Sequence, residues 1–473
     1  MTRGYFPDRI IPPVNALGIT NALPDMRTHI EPIVADLLKK KSAGLRSRCV
    51  MHSVPKRKHL RRSLSIPNPM HHFMAADEMA SSWSALHAFC SKSPLSLSIP
   101  MVGTTRALVH QNDLGQLPFF RAQRCVGSRY LLKTDIARFY PSIYTHSIPW
   151  ALHGKTAARS DKKYSLIGNR LDLWTRETQD KQTGGIPIGP DTSFLLGEII
   201  ATALDLELLK KLPQLRGIRS VDDYFLYFNS ISDAENALAV LHGIARQFEL
   251  EINDPKTEII QLPDTLEPPW KSELRKLSIR PQGRPQATDL LSLFDRAFDH
   301  AKLFPPDSVL TYVARQVLSA SITEENWPLC EALLLKAALN EPTMLSVLVR
   351  IYDRFSSYST DTGPLTETLQ SICFYHAPLQ QGNEVAWALY LADKMNITIS
   401  RTVGDKIARV DDDVVALVAL DLMEQGRLNT TNINLWKSFA NATNLYEHHW
   451  LLAYEAHMHG WLSTHQKPDY VCG

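Results

Sequence analysis

The chain has 473 residues, of which 44% are hydrophobic and 21% are charged, a composition typical of a soluble globular protein with two or three domains. The formal net charge of +2 excludes a strongly basic or acidic protein, so any surface for nucleic acid must be local. Six scattered cysteines without a C-x-x-C pair argue against a zinc site or a disulfide framework, and no apolar signal or membrane-spanning run is seen, so we expect a cytoplasmic protein without membrane contact.

Residues 1–45 are rich in proline, and we interpret them as an N-terminal lead with a short helix starting near Met26. The most basic stretch of the chain begins at Lys39 and ends in an alternating pattern, Arg62-Ser63-Leu64-Ser65-Ile66, which Pro67 stops. This pattern predicts a strand. A strand can hold basic side chains towards a phosphate, whereas the usual alternative is a solvated face or a flexible arm.

A helix is predicted over 71–92 and a loop-rich segment over 93–128. The run 130–136 then predicts a buried strand that ends at Asp135. A carboxylate at a strand end beside a loop is a common place for a metal ligand, although an aspartate there often only caps the next turn.

A Gly-Pro loop, 184–193, precedes an apolar helix predicted from Phe194 to about Lys211. Such a loop can bind an anion, since glycine lets a ligand approach the backbone and the helix start attracts negative charge. An ordinary loop before a helix has the same composition.

Two adjacent carboxylates, Asp222 and Asp223, lie inside the apolar and aromatic run 219–228, which predicts a β-hairpin with the acid pair at or near its turn. Two neighbouring negative charges are costly to bury unpaired. They are therefore either solvated or neutralised by a cation, and Mg²⁺ is the natural candidate because it prefers oxygen ligands.

Residues 248–260 predict a strand, a tight turn and a second strand, with Lys256 just past the turn. Prolines between 263 and 285 indicate a domain boundary. From about 288 onwards helical stretches recur, and three loosely similar segments carry Trp327, Trp387 and Trp450. Stacked helical pairs, as in an α-solenoid, are one interpretation, and an ordinary helical bundle is the other.

Together these parts are what nucleotidyl transfer needs. Carboxylates can hold two Mg²⁺ ions that activate the attacking hydroxyl and stabilise the leaving pyrophosphate, while basic groups neutralise the triphosphate.

In this order the chain resembles a reverse transcriptase. Asp135 matches the first palm aspartate, the loop Gly185-Ile186-Pro187-Ile188-Gly189 with Ser193 resembles the Gly-x-Pro-Gln-Gly-x-x-x-Ser block, and Val221-Asp222-Asp223 resembles the x-x-Asp-Asp block. The segment that begins Asp-Ile-Ala-Arg-Phe-Tyr-Pro-Ser at Asp135, together with the helical C-terminal half, is most similar to bacterial defence-associated reverse transcriptases of the abortive-infection and unknown groups.

The resemblance implies an α+β fold, with a right-hand polymerase palm and fingers over 46–270 and an all-α, helical repeat-like C-terminal domain over 285–473. It implies Mg²⁺-dependent DNA synthesis from deoxynucleoside triphosphates in anti-phage defence, with two ions that Mn²⁺ can replace. The implied metal ligands are the catalytic Asp135, Asp222 and Asp223 and the main-chain carbonyl of Ile136. The implied nucleotide-binding residues are Lys56, Arg62, Tyr140, Gly189 and Lys256, with Tyr140 as a steric gate against ribose.

Two departures bear on template copying. Ile188 replaces the glutamine of the Gly-x-Pro-Gln-Gly block, and Ser220 replaces the aromatic residue usually found two positions before the acid pair. Some defence relatives extend DNA without a nucleic-acid template or from a protein hydroxyl. If this chain does so, Tyr470 and Tyr5 are the candidate priming residues on mobile segments.

Two alternatives stay open. One is an RNA-templated enzyme that uses a partner non-coding RNA, and the other is a catalytically silent scaffold that acts through its helical half. A homo-oligomer is expected, since relatives assemble and the tryptophan-bearing helices offer an interface.

Overall fold

The computed structural model describes residues 2–38, 46–57, 60–161 and 163–462. Its first helices and strands are α1 (Leu17–Leu38), β1 (Val50–Arg57), β2 (Leu60–Ile66), α2 (Pro69–Ser81), α3 (Trp83–Cys90), β3 (Pro100–Val102), β4 (Leu108–His110) and α4 (Leu117–Arg124). The next are β5 (Tyr130–Asp135), α5 (Phe139–Ser142), α6 (Ser147–His153), α7 (Lys155–Ser160), α8 (Ile167–Glu177), α9 (Asp191–Lys211), β6 (Arg216–Ser220), β7 (Asp223–Phe228), α10 (Ile231–Gln247) and β8 (Glu258–Gln261).

The remaining helices are α11 (Pro269–Lys276), α12 (Pro285–Leu303), α13 (Val309–Ser319), α14 (Trp327–Asn340), α15 (Leu345–Arg354), α16 (Thr362–His376), α17 (Gly382–Lys394), α18 (Arg401–Ile407), α19 (Asp413–Glu424), α20 (Asn434–Phe439) and α21 (Trp450–His459). No helix within the described residues combines the length and the apolar character needed to cross a bilayer.

Contacts divide the chain into two units. The first comprises Met1–Arg9, Asn15–Cys49 and Ser65–Leu266, and the second comprises Ile10–Val14, Val50–Leu64 and Glu267–Gly473. Most of the β1–β2 hairpin therefore belongs by contact to the second unit, although the sequence grouped it with residues 46–270.

The first unit is built on a four-stranded antiparallel sheet with the order β6-β7-β5-β8. Side chains alternate between the two faces of a strand. Leu132 of β5 therefore packs into the main core with α9 and α10, whereas its neighbour Leu131 packs into a smaller cluster with Phe225 and Tyr227. Burial on both faces explains the adjacent apolar residues of β5 and the apolar and aromatic run of β7, and each strand carries an acidic residue at one end.

The structure corrects three local predictions. The N-terminal helix does not start near Met26 but runs over Leu17–Leu38, with Pro24 and Pro32 inside it. Proline normally breaks a helix, but Ile30 of this helix is buried in a cluster with Met74 and Trp174. Tertiary packing thus outweighs the local preference.

The strand predicted at the start of 248–260 is also wrong. Glu249 takes a left-handed conformation with φ of 60°, which interrupts an extended chain. Only Ile252 forms a bridge, with Ile136 beyond the end of β5. The predicted helix over 71–92 is two helices, α2 and α3, that meet at Ser82.

In the second unit, each helix packs against the helix two positions further along the chain: α13 on α15, α14 on α16, α15 on α17, α16 on α18, and α17 on α19. This regular progression is the arrangement of stacked helical pairs, in which each repeat contacts its neighbours. Trp327, Trp387 and Trp450 are buried. They pack the core of this unit, so they do not offer the exposed interface that the sequence indicated, and the expected homo-oligomer stays a prediction.

Candidate functional site

The site is built around the ends of β5 and β7. In the antiparallel register Asp135, the last residue of β5, lies directly opposite Asp223, the first residue of β7. Side chains in such pairs have Cβ atoms about 4.5–5.5 Å apart, and like charges at this distance repel. The sheet therefore brings together two carboxylates that the sequence separated, and a cation between them would be stabilising.

Asp222 completes the acidic group at the turn between β6 and β7. Burial first, and then the charges of Asp223 and Asp135, raise the pKa of Asp222 from its ordinary value to about 6, although Lys256 opposes this rise. This pKa indicates that the three carboxylates act on one another electrostatically, which is the condition under which a divalent cation binds most favourably.

Lys256 is the cation that the structure places at these carboxylates. Its ammonium group donates to Oδ2 of Asp135 and forms an ion pair with it. The turn is fixed because the N–H of Asn253 donates to the carbonyl of Asp135 at 2.9 Å and the hydroxyls of Thr134 and Thr257 are 2.7 Å apart. Lys256 is the last residue of the 3-10 turn Asp254–Lys256 and does not lie past it as predicted, and the structure adds its contact with Asp135.

The donor set fits Mg²⁺ by its chemistry. The second oxygen of Asp135, Oδ1, is buried and has no hydrogen-bond partner among the described residues. The N–H of Ala137 donates to the carbonyl of Glu251, and the carbonyl of Asp135 accepts from Asn253. Since main-chain groups alternate along an extended chain, those of Ile136 are directed away from Ile252, towards the β7 side.

A buried oxygen without a partner is costly and is commonly satisfied by an ion. Within the described parts of the chain, however, no three His, Cys, Asp or Glu side chains already form a metal cluster. A resident Mg²⁺ would be held by Asp135, Asp222, Asp223 and the carbonyl of Ile136, and it would polarise a phosphoryl oxygen and an attacking hydroxyl.

The Gly-Pro loop is bonded to the turn after Asp135. The N–H of Gly185 donates to the carbonyl of Ile143 at 2.8 Å, and the N–H of Ile186 donates to the carbonyl of Tyr140 at 3.0 Å. Tyr140 is half-buried, and its ring packs so closely on α9 that a Cβ at Gly197 would lie 3.3 Å from it. The loop and α9 therefore fix the direction of the Tyr140 ring.

The N-terminal segment covers the other end of this loop. Gly189 has a φ of 127°, and a Cβ there would lie 2.7 Å from Cβ of Pro7. The side chain of Arg106 connects the N-terminal segment to the end of the loop, because its Nε donates to Asp191 at 3.0 Å and its Nη1 donates to the carbonyl of Phe6 at 3.2 Å. Gly189, predicted to contact nucleotide, thus lies against Pro7 in this structure.

Replacing Gly189 by alanine is therefore expected to destabilise the first unit by about 1–3 kcal/mol, because the left-handed region and the contact with Pro7 both exclude a Cβ. Urea denaturation would measure the change. Gly243 is a matched control, since it lies inside α10 with open space around it, and alanine there should stabilise by about 0.5–1 kcal/mol. Equal effects at the two positions would contradict the role of the Pro7 contact.

Of the two tyrosines named for priming, Tyr5 is buried and its hydroxyl donates to the carbonyl of Pro67. Its ring also meets His72 edge to face. This placement opposes the expectation of a mobile segment, because the hydroxyl is engaged inside the first unit. Tyr470 lies outside the described residues.

Lys56 and Arg62 lie on the β1–β2 hairpin, and both are exposed. The neighbouring Arg61 points to the opposite face of β2, where its Nη2 donates to Glu384 of α17 at 2.8 Å. On β1, Nδ1 of the buried His52 lies 2.8 Å from the carboxylate of Asp412. Because side chains alternate along a strand, anchoring of Arg61 on one face leaves Arg62 on the other. A phosphate contact by Lys56 or Arg62 stays a prediction.

A buried charge cluster that was not predicted from the sequence lies behind the acidic turn. Arg219 of β6 is fully buried between Glu198 and Asp205, which lie two helical turns apart on α9. The sequence contained a signal for this cluster. An arginine in a buried strand needs an acidic partner, and two acidic residues seven positions apart lie on one face of an otherwise apolar helix.

No protein-family model matches the sequence, and no curated protein matches it. Among solved structures, apo telomerase from Candida tropicalis matches with a TM-score of 0.35 and 11% identity over 85% of this chain and 73% of that one. A form of the same telomerase truncated from its C-terminal domain matches with a TM-score of 0.34 and 11% identity over 46% of this chain. The match covers about half (51%) of the length of that truncated telomerase.

Telomerase from Candida albicans, in complex with a fragment of telomeric RNA, matches with a TM-score of 0.33 and 11% identity over 83% of this chain and 67% of that one. Similarity at this level leaves the function to be argued from the site itself.

Proposed function

We propose that this chain is a nucleotidyltransferase of the reverse-transcriptase type that synthesises DNA from deoxynucleoside triphosphates with Mg²⁺. The observation that carries the proposal is the register of β5 and β7, which sets Asp135 opposite Asp223 with Asp222 at the adjoining turn. Carboxylates from two separate chain segments that meet at one end of a sheet are the arrangement that two-metal phosphoryl transfer requires.

The chain's own residues have distinct tasks in this proposal. Asp135 and Asp222 would hold the metal ions, with Asp223 in support. Lys256 pairs with Asp135 in this structure, and it would be released to contact the triphosphate if a divalent cation took its place, because an ammonium group and Mg²⁺ compete for carboxylate oxygens. Arg62, with Lys56, neutralises the triphosphate from the β1–β2 hairpin.

The anti-phage role and a homo-oligomeric state belong to the same proposal and rest on the resemblance to defence-associated reverse transcriptases. Template use is proposed to be relaxed, because branched Ile188 and small Ser220 replace side chains that lie near the templated pair in that family. The carbonyl of Ile188 accepts from the N–H of Ser65 at 2.8 Å. The backbone at this departure is thus held by the end of β2, while its side chain is half-buried.

Replacing Tyr140 by alanine is expected to admit ribonucleotides, because the ring held against Gly197 would clash with a ribose 2′-hydroxyl. Steric exclusion of this kind is worth roughly 10–200-fold in selectivity. Single-nucleotide incorporation with dNTP and rNTP pairs would measure the ratio. Phenylalanine at this position keeps the ring and should keep the wild-type ratio, and unchanged selectivity in the alanine variant would remove Tyr140 from this role.

The proposed function is tested by one incubation. Purified protein receives Mg²⁺ and each labelled deoxynucleotide in turn, without template or primer, beside an Asp222→Ala, Asp223→Ala double variant. Products are separated on a denaturing gel before and after protease and nuclease. Label that migrates with the wild-type protein and is released by protease would support protein-primed synthesis.

Product only after addition of an RNA template and primer would identify a conventional copying enzyme, and a tightly bound RNA of one sequence would favour a partner non-coding RNA. A double variant that makes as much product as wild type would contradict the proposed function. A double variant that is inactive but still protects cells from phage would instead favour a scaffold acting through the helical unit.

A further inference from the structure

Val221, the residue before the acid pair, is in an unusual backbone conformation. Its φ is 59°, in the left-handed region that a β-branched residue rarely adopts. It lies at the turn between β6 and β7, so its conformation determines the direction in which the Asp222 carboxylate leaves the sheet. Something in the surrounding structure must hold this conformation.

Both main-chain groups of Val221 are held by side chains. Its N–H donates to Oγ of Ser98 at 2.7 Å, and its carbonyl accepts from Nη1 of Arg219 at 2.8 Å. Ser98 and Arg219 are each fully buried, so both side chains are held in place by the surrounding core. The two bonds clamp the peptide groups on either side of Val221.

Arg219 is itself fixed by a buried acidic pair. Its Nη2 donates to Glu198 at 2.7 Å, and its Nε donates to Asp205 at 2.8 Å. Tyr224 also donates to Asp205, at 2.9 Å. Burial by itself lowers the pKa of Arg219, but the carboxylates of Asp205 and Glu198 raise it well above its ordinary value. The guanidinium therefore stays charged, and only a narrow range of positions satisfies all its donors.

Stability alone gives no reason for this cluster, because apolar residues of similar volume often replace buried ion pairs without loss. The cluster does, however, connect the rigid helix α9 to the carbonyl of Val221. We propose that Arg219 and Ser98 are positioning residues that hold Val221 in its left-handed conformation and so direct Asp222 towards Asp135. The catalytic consequence rests on the proposed function, whereas the conformational part does not.

Two variants remove the clamp. Ser98→Ala removes the acceptor of the Val221 N–H, and Arg219→Lys keeps the charge but loses the planar set of donors. The matched controls are Ser93→Ala and Arg170→Lys. In the wild-type protein the Ser93 hydroxyl donates to Asp205 and does not touch Val221, and Arg170 pairs with both oxygens of Glu78 in the same unit.

The deciding measurement is hydrogen exchange at the Val221 amide in the full-length protein. Both clamp variants should exchange this amide at least about tenfold faster, while the controls stay within about twofold of wild type. Unchanged protection of the amide in Ser98→Ala would overturn the proposal, even if that variant loses activity. This readout decides the positioning role even if the wild-type protein makes no DNA.

Activity then separates positioning from folding. The clamp variants should lower kcat by about ten- to a hundredfold with KM for deoxynucleotides near the wild-type value, since a displacement of about 1 Å at a catalytic group has such an effect. Glycine adopts the left-handed region without strain, so Val221→Gly added to Ser98→Ala should restore part of the lost kcat. A loss of kcat in Ser93→Ala equal to that in Ser98→Ala would overturn the proposal and indicate a structural role alone.

Discussion

An Asp222→Asn variant is expected to lose nucleotide incorporation by about a hundred- to a thousandfold or more while the protein stays folded. The amide removes a negative charge that would hold a metal ion, and loss of one such electrostatic contribution to the negatively charged transition state is worth this much in rate. The register of Asp135 and Asp223 is set by backbone hydrogen bonds of the sheet, so it should survive the substitution.

The same variant should be at least as stable as wild type. Burial and the carboxylates of Asp223 and Asp135 raise the pKa of Asp222 to about 6, which means that its negative charge is unfavourable in the folded protein. Neutralising it should stabilise by about 1 kcal/mol and raise the Tm by about 2–4 °C in metal-free buffer. Loss of activity with a gain in stability is typical of a residue kept for function.

Thermal unfolding and single-nucleotide incorporation, measured on the same preparation, would check both parts. Asp254→Asn is the matched control, because this carboxylate belongs to the turn that carries Lys256 but its side chain is 83% exposed. It should leave activity and Tm near the wild-type values. Activity of Asp222→Asn within tenfold of wild type would count against the two-metal site, and a large fall in Tm would show that the carboxylate is structural.

An Asp412→Ala variant is expected to destabilise the second unit by about 2–4 kcal/mol. Oδ1 of Asp412 accepts from the N–H groups of Val414 and Val415 at the start of α19, at 3.0 and 3.2 Å. Loss of such a helix cap costs about 1 kcal/mol. The variant also leaves the imidazole of His52 buried without its partner, which costs about 1–3 kcal/mol more.

Two comparisons divide this effect into its parts. Asp412→Asn keeps an oxygen for the cap and for His52, so about 1 kcal/mol should be lost. Asp361→Ala removes an exposed cap, the acceptor of the Gly363 N–H at 2.9 Å, and should cost about 0.5–1 kcal/mol. Urea denaturation measures all three. Destabilisation by Asp412→Ala no greater than that by Asp361→Ala would show that the contact with His52 contributes nothing.

The Asp412→Ala variant also tests the function of the hairpin. His52 lies on β1, which pairs with β2, the strand that carries Arg62. If Arg62 neutralises the triphosphate, a loosened hairpin should raise KM for deoxynucleotides about tenfold at a temperature where the variant is still folded, because a charge-assisted contact is worth about 1.5–3 kcal/mol. Arg62→Ala should raise KM similarly, and an unchanged KM in both variants would remove the hairpin from triphosphate binding.

The local pattern of the sequence was enough to predict several elements on which the site depends. The end of β5 at Asp135 and the hairpin around Asp222 and Asp223 follow from runs of apolar residues that stop at turns. The helix after the Gly-Pro loop was also predicted, although it starts at Asp191 and not at Phe194. Such patterns work because burial on a strand or helix repeats with a fixed period.

The contacts between these elements were decided only by the tertiary structure. Lys256 and Asp135 are 121 residues apart in the chain, the buried position of Arg219 depends on two residues of α9, and Tyr5 is buried because the N-terminal segment packs on the first unit. A periodic pattern reports which face of an element is buried but not which partner covers it. The register of the sheet, the docking of Pro7 on Gly189 and the anchoring of the β1–β2 hairpin on the helices of its own unit therefore follow from packing between distant segments.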